Sequence, residues 1–307
     1  MANLTYSVFV DVLGYGAIVT DPTKTSDQKI NILNSIYSNL ASGLLIIIKE
    51  INQVINDKIY IKSFSDSFYL ESTNLLALIY SCSRIFNDTF GFYSNMPIDS
   101  EYTPLIRGGL VKDWTVRFND LGSIVNNQQG TNPVGLGVAR AYWTSEKTKL
   151  SGMRLIISEE VISDLDLKKY SKNGFDCFIQ EFSYNNLPTY LFFDKIEKNE
   201  DDCLVNLYEL IWTESAMSNC TFDYIKQLNN IKSNFNSKSI RHFKKTAEIV
   251  LKGLLTTDCK ERTQNIFENK KTELIAMMKK IAKCQQRQFL LRVSAVIKLN
   301  TDEDNKP

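Results

Sequence analysis

The stretch that decides the fold is Tyr6-Ser7-Val8-Phe9-Val10-Asp11-Val12-Leu13-Gly14-Tyr15-Gly16. Tyr6 to Val12 is rich in β-branched and aromatic residues, reads as a strand, and breaks at a glycine turn. Asp11 sits inside that run, just ahead of the turn. A carboxylate at the end of a buried strand is costly unless it meets a cation or good donors. The same residue also reads as a turn-initiating aspartate, so alone it decides nothing.

Working outward, a helix is expected from about Asp27 to Asn56, with Ile32, Ile36, Leu40, Leu44, Ile47 and Ile51 at three-to-four spacing. Two β-rich runs follow, Lys58–Phe64 and Ser67–Leu70, separated only by Ser65-Asp66, and a hairpin fits that spacing. A helix over 73–90 leads to a loop with Gly91, Pro97 and Pro104, then to a strand over Pro104–Lys112 and a second around Thr115–Phe118. A glycine-bearing segment at 130–137 runs into a helix at 138–147. Met153–Ile157 reads as a strand and 158–169 as a short helix. The order predicts an α+β fold, with helices on one face of a mainly antiparallel sheet. From about residue 201 the pattern reads as helices, with stripes such as Ala247, Val250, Leu254 and Leu274, Met277, Ile281 among lysines.

The 307 residues are 43% apolar and 23% charged, an ordinary globular balance. A net charge of +1 makes the whole chain no generic polyanion binder. The charge is uneven. Residues 1–225 hold 18 Lys and Arg against 27 Asp and Glu, whereas residues 226–298 hold 17 against 5. That shift predicts a first domain over 1–200, a basic helical region over 201–300 and a disordered tail over 301–307. The basic region reads first as a solvated or interaction surface; nucleic acid is not the expected partner. The apolar run Leu44–Ile48 ends at Lys49, far short of a bilayer span, and no signal peptide is visible, so a cytoplasmic protein is expected. Six scattered cysteines without a C-x-x-C pair, and a single histidine, exclude zinc fingers and most disulfide scaffolds. His242 reads as a surface histidine. Chemistry must therefore rest on carboxylates, Lys, Arg and backbone.

Asp66, at the tight turn Phe64-Ser65-Asp66-Ser67, reads alone as a hairpin residue. Together with Asp11 it says more. The β1–turn–helix and the neighbouring hairpin can bring both carboxylates to one sheet end, where hard divalent cations would satisfy them. Arg107-Gly108-Gly109, with Gly130, Gly135 and Gly137 before Arg140, suits phosphate approach but matches no nucleotide fingerprint.

The order of these phrases, Phe9–Tyr15, Lys62–Ser67, Ile106–Leu110 and Gly135–Glu146, resembles the catalytic domain of class III nucleotidyl cyclases. It is most similar to the pyrimidine (uridylate or cytidylate) cyclases of bacterial Pycsar antiphage systems, over about residues 5–195. The resemblance implies a ferredoxin-like βαββαβ core and conversion of UTP or CTP to the 3′,5′-cyclic monophosphate and pyrophosphate. It implies two divalent cations, Mn2+ or Mg2+, held by Asp11, Asp66 and the backbone carbonyl of Val12. Leu13, Gly14 and Tyr15 would then offer backbone to the triphosphate. Lys62 would face the base edge, and reads equally as a solvated strand residue. Arg107 would contact base or phosphate, and reads equally as a strand-end ion pair.

The last motif departs from the family. Counting from Gly135, the positions where purine cyclases place a transition-state Asn and Arg hold Ala139 and Trp143 here. Arg140 is the substitute cation. The architecture implies a homodimer with shared sites: one protomer gives Asp11 and Asp66, the other Lys62 and Gly135–Arg140. The product would signal to a downstream cyclic-nucleotide effector. The competing expectation is a catalytically inactive cyclase-homology sensor that acts through its helical C-terminal region.

Overall fold

A computed structural model of the chain describes residues 3–55, 58–64, 66–92, 105–119, 131–146, 150–172, 175–200, 203–215 and 240–256. Strand β1 (Asn3–Leu13) runs antiparallel to both its neighbours, β3 (Ser67–Ser72) and β4 (Leu105–Asn119). Beyond β3 lies β2 (Tyr60–Phe64), joined to it by the expected hairpin. Helices α1 (Tyr15–Thr20) and α2 (Ser26–Val54) connect β1 to β2, and α3 (Leu75–Phe92) connects β3 to β4. The spatial order β2-β3-β1-β4 with these crossovers is the ferredoxin-like βαββαβ arrangement.

Alternation explains why the sheet has two different faces. Val8, Val10 and Val12 of β1 point with Phe68, Leu70, Ile106 and Leu110 into the core. There they meet the stripe Ile36, Leu40, Leu44, Ile47 and Ile51 of α2. A capping box fixes the start of α2: the Thr25 side chain accepts from the Gln28 N–H while Gln28 reaches back to the Thr25 N–H. α2 is long and apolar enough by composition to cross a bilayer; that stripe packs into the core, while Ile30, Leu45, Ile46 and Val54 are exposed.

The opposite face carries Thr5, Ser7, Phe9 and Asp11, and α4 (Leu136–Glu146) lies on it, following β5 (Thr131–Val134). α4 approaches where β4 has no side chain: a Cβ on Gly109 would stand 2.4 Å from the Ala141 carbonyl and 2.7 Å from the Ser145 nitrogen. The second glycine of Arg107-Gly108-Gly109 therefore serves helix packing, not phosphate approach. β4 is also one unbroken strand across Lys112-Asp113-Trp114, where the sequence reads as two.

The sheet continues through β6 (Leu155–Ser158), which is parallel to β4. Helix α5 (Glu159–Ile162), shorter than expected, then leads to a meander of β7 (Lys168–Lys172), β8 (Phe175–Tyr184), β9 (Leu187–Glu200) and β10 (Cys203–Leu210). β10 lies between β9 and β6. The expected helical region therefore does not begin at 201; the sheet runs on to 210 because Leu207 and Leu210 are core residues. After α6 (Trp212–Ser215), α7 (Ile240–Thr256) is the described part of the basic region. Residues 216–239 and 257–300 of it, and the tail 301–307, lie outside the described residues.

α7 is fastened by buried charge. Lys252 donates to Asp194 and to Glu209, 3.1 Å away, and Glu209 also pairs with Arg154. Burial pushes the Glu209 carboxyl up, but Arg154 and Lys252 outweigh it and hold it below its usual range. Removing one member strands the others without water. Glu209→Ala is expected to cost about 3–5 kcal/mol, the scale for breaking a buried pair. Urea denaturation tests this; a midpoint unchanged from wild type would show that α7 is not held by these ions.

Candidate active site

The end of β1 gathers the acidic candidates. Asp11 is the cross-strand partner of Ser67 on one side and Arg107 on the other. Asp66 sits in the β2–β3 turn, and its carbonyl accepts from the Val12 N–H at 3.1 Å. Leu13 pairs with Leu105, and Gly14 caps α1 with φ 94°, a left-handed backbone that favours glycine. Tyr15, the first residue of α1, meets the ring of Tyr37 edge-on at 6.4 Å.

Two residues without an assigned role in the sequence belong here. Glu146, the last residue of α4, hydrogen-bonds closely to Arg107 Nη2, whose distance to Asp11 Oδ2 is 3.5 Å. Tyr37 on α2 has a buried hydroxyl without a hydrogen-bond partner among the described residues. Burial first, then Asp66, Tyr15 and Asp11, push that hydroxyl's pKa up. Neither could be read from spacing. Glu146 arrives by helix–sheet packing and Tyr37 by the rotation of a long helix.

Among the described residues, three carboxylates and one guanidinium meet here, which leaves the corner short of positive charge. The Asp11 carboxyl is pushed up to about 7, first by burial and then by Glu146, with Arg107 opposing and Asp66 adding. Such a carboxylate is suited to a divalent cation. Among the described residues no group of three or more His, Cys, Asp or Glu side chains forms a metal cage. Asp11 and Asp66 with backbone oxygen fit Mg2+-type binding, in which one or two carboxylates share the ion with water and phosphate oxygens.

The remaining candidates lie elsewhere in the chain. Lys62 is on the same sheet face as Asp11, opposite Tyr69, two strands away. Gly135, φ 139°, closes the β5–α4 turn against Trp114. Arg140 pairs with Glu160 and, at 2.7 Å, with Asp113. Asp113 is opposite Thr5, six positions from the Arg107–Asp11 pair, so Arg140 reaches β4 about 20 Å along the strand from Asp11. His242 is half-buried instead of a surface residue. Its Nδ1 accepts from the Gly152 N–H at 3.1 Å, and burial, Arg241 and Arg107 lower its pKa.

No family model matches the sequence, and no curated protein matches it. The chain is similar to a bacterial light-regulated adenylyl cyclase, with TM-score 0.46 and 13% identity over 76% of this chain and 100% of that one. It is also similar to the guanylyl cyclase Cya2, with TM-score 0.42 and 9% identity over 72% of this chain and 97% of that one. A Trypanosoma brucei adenylate cyclase matches with TM-score 0.38 and 12% identity over 72% of this chain and 92% of that one.

The acidic corner has a measurable signature. Between the ordinary 3.8 and about 7, the folded state keeps a proton on Asp11 that the unfolded chain has released. Stability should therefore fall as pH rises through that window. Asp11→Asn is expected to flatten this slope and to raise the melting temperature at pH 8. Parallel melting curves for mutant and wild type from pH 4 to 8 would remove Asp11 as the strained carboxylate.

Proposed function

We propose that the chain is a nucleotidyl cyclase that converts UTP or CTP to the 3′,5′-cyclic monophosphate and pyrophosphate. The observation that carries this is the meeting of Asp11 and Asp66 at one sheet end, where an underneutralised carboxylate calls for a cation. Two bound Mn2+ or Mg2+ ions would neutralise the triphosphate and activate the ribose 3′-hydroxyl for in-line attack on the α-phosphate. Leu13, Gly14 and Tyr15 present backbone to the triphosphate, and Arg107 stands beside Asp11 on the next strand, across β1 from Asp66. Lys62 reads the base edge.

Gly135 and Arg140 are too far along β4 to serve the Asp11 of their own chain, and on this reading they serve a second protomer. A head-to-tail homodimer then has two equivalent composite sites. The proposed setting is cytoplasmic antiphage signalling, with the cyclic pyrimidine nucleotide as messenger to an effector and neither membrane nor nucleic acid as partner. A second reading, an inactive cyclase-homology sensor, is favoured by one observation: Arg140 is already occupied by Asp113 and Glu160.

Purified protein with Mn2+ and each of the four ribonucleoside triphosphates separates the two. UTP or CTP should give cyclic product and pyrophosphate, and Asp11→Ala and Asp66→Ala should each fall to background. Lys62→Ala should alter the preference among triphosphates more than total turnover, because lost base hydrogen bonds act on discrimination. If folded wild-type dimer turns over none of the four, the sensor reading stands.

A further inference from the structure

Arg107, Glu146 and α4 come to the acidic corner from one face of the sheet, and Tyr37 comes to it from the other. Its neighbours on α2, Ile36 and Leu40, are buried in the core against β1, which fixes where the ring falls. That ring meets Tyr15, the first residue of α1, edge-on at 6.4 Å. The hydroxyl ends buried near Asp66, Tyr15 and Asp11: burial first, then those three groups, raise its pKa. It has no hydrogen-bond partner among the described residues.

A buried hydroxyl without a partner carries its full desolvation cost, and each one in a native structure calls for an explanation. The surroundings narrow it here. Tyr37 has an O–H to donate, and the carboxylates around it lie beyond its reach. A hard cation takes carboxylate, carbonyl and water oxygens, so a neutral phenol is a poor ligand for one. What the O–H lacks is an acceptor that comes from outside. A phosphate oxygen suits it: it accepts strong hydrogen bonds, and it enters an acidic corner together with the divalent cations that neutralise the carboxylates. We propose that the Tyr37 hydroxyl is a binding group for the substrate's triphosphate, donating to a phosphate oxygen. This rests on the cyclase reading of the site. It adds a side-chain donor to the backbone offered by Leu13, Gly14 and Tyr15, and it places part of the recognition on α2.

Tyr37→Phe keeps the ring and removes only the hydroxyl. Binding is read on the full-length protein without turnover, using Mn2+ with 3′-deoxy-UTP or 3′-deoxy-CTP, which lack the attacking hydroxyl, and Mn2+ with pyrophosphate. The Kd for both kinds of phosphate ligand is expected to rise about tenfold or more, the scale for a hydrogen bond to a charged group. The Kd for Mn2+ alone, followed by its EPR signal, should stay as in wild type. The ligand-free variant should melt no lower than wild type, because an unsatisfied buried group has been removed, while its stabilisation by ligand shrinks. Unchanged phosphate affinity would overturn the inference, since the hydroxyl would then hold only a buried water. An equal loss for Mn2+ alone would overturn it as well, placing Tyr37 on the metal side of the site. So would a lower melt without ligand, the mark of a structural hydrogen bond. A wild-type protein that binds pyrophosphate but neither nucleotide, and makes no cyclic product, removes the cyclase reading alone. The pyrophosphate arm then still decides Tyr37, so the two failures are told apart.

Discussion

Asp11 leaves an inner strand of the sheet with Arg107 on one neighbouring strand and the Asp66 turn beside the other. Unit charges about 4 Å apart interact by about 4 kcal/mol at the effective dielectric of a protein surface, so one guanidinium cannot balance three carboxylates there. The chain has two ways out of this conflict: a proton or a metal ion. With its carboxyl pushed up to about 7, Asp11 holds a proton weakly at neutral pH, and an arriving cation has little to displace. A strong internal salt bridge at Asp11 would have relieved the same strain and closed the site. Arg107 instead divides its guanidinium between Asp11, at 3.5 Å, and Glu146.

That arrangement depends on packing as much as on charge. α4 can lie near β4 only because Gly109 has no Cβ, and Gly137 makes the same approach possible at the helix start, where a Cβ would stand 2.8 Å from Ser7 Oγ. Phe9 and Tyr142, edge-on at 5.3 Å, fill the space between the two contacts. A helix seated this firmly fixes where its last residue falls. The position of Glu146 is thus set by backbone contacts several residues away. An overpacked helix–sheet contact usually costs 1–3 kcal/mol, or about that, and moves the backbone as well.

The sequence was most legible where periodicity and turn chemistry agree. β1, the β2–β3 hairpin, α2 and α3 all stand close to where alternation and three-to-four spacing put them, and with them Asp11 and Asp66. β4 reads in the sequence as two strands, because the charged residues Lys112 and Asp113 interrupt the apolar pattern. In the fold these charges stay in the strand, with Lys112 paired to Asp164 at 2.8 Å and Asp113 to Arg140 at 2.7 Å. β10 was missed for a related reason. Glu209 occupies a core position, and a buried charge breaks the apolar alternation by which a strand is recognised. Its cations, Arg154 and Lys252, come from residues far away in the chain, and no local pattern announces them. Glu146 and Tyr37 were unreadable on the same ground: each enters the site through tertiary contact.

What the described residues leave unfinished is the supply of positive charge. Arg140 is spent on Asp113 and Glu160 at the far end of β4, about 20 Å along the strand from Asp11. On the cyclase reading a two-fold partner laid head to tail would bring its own far end to this chain's acidic corner, and the reverse at the second site. The surface at that far end is unusual for a monomer, since Leu4, Trp114, Phe118, Val134 and Leu136 are all exposed there. Clustered exposed aromatics mark surfaces that gain from being covered. Engagement would then ask Arg140 to trade two carboxylates of its own chain for the developing negative charge of a bound triphosphate. That exchange is close to neutral in charge terms. Arg140's present pairing and a role at a partner's site are therefore compatible, because the guanidinium leaves anions only to meet another.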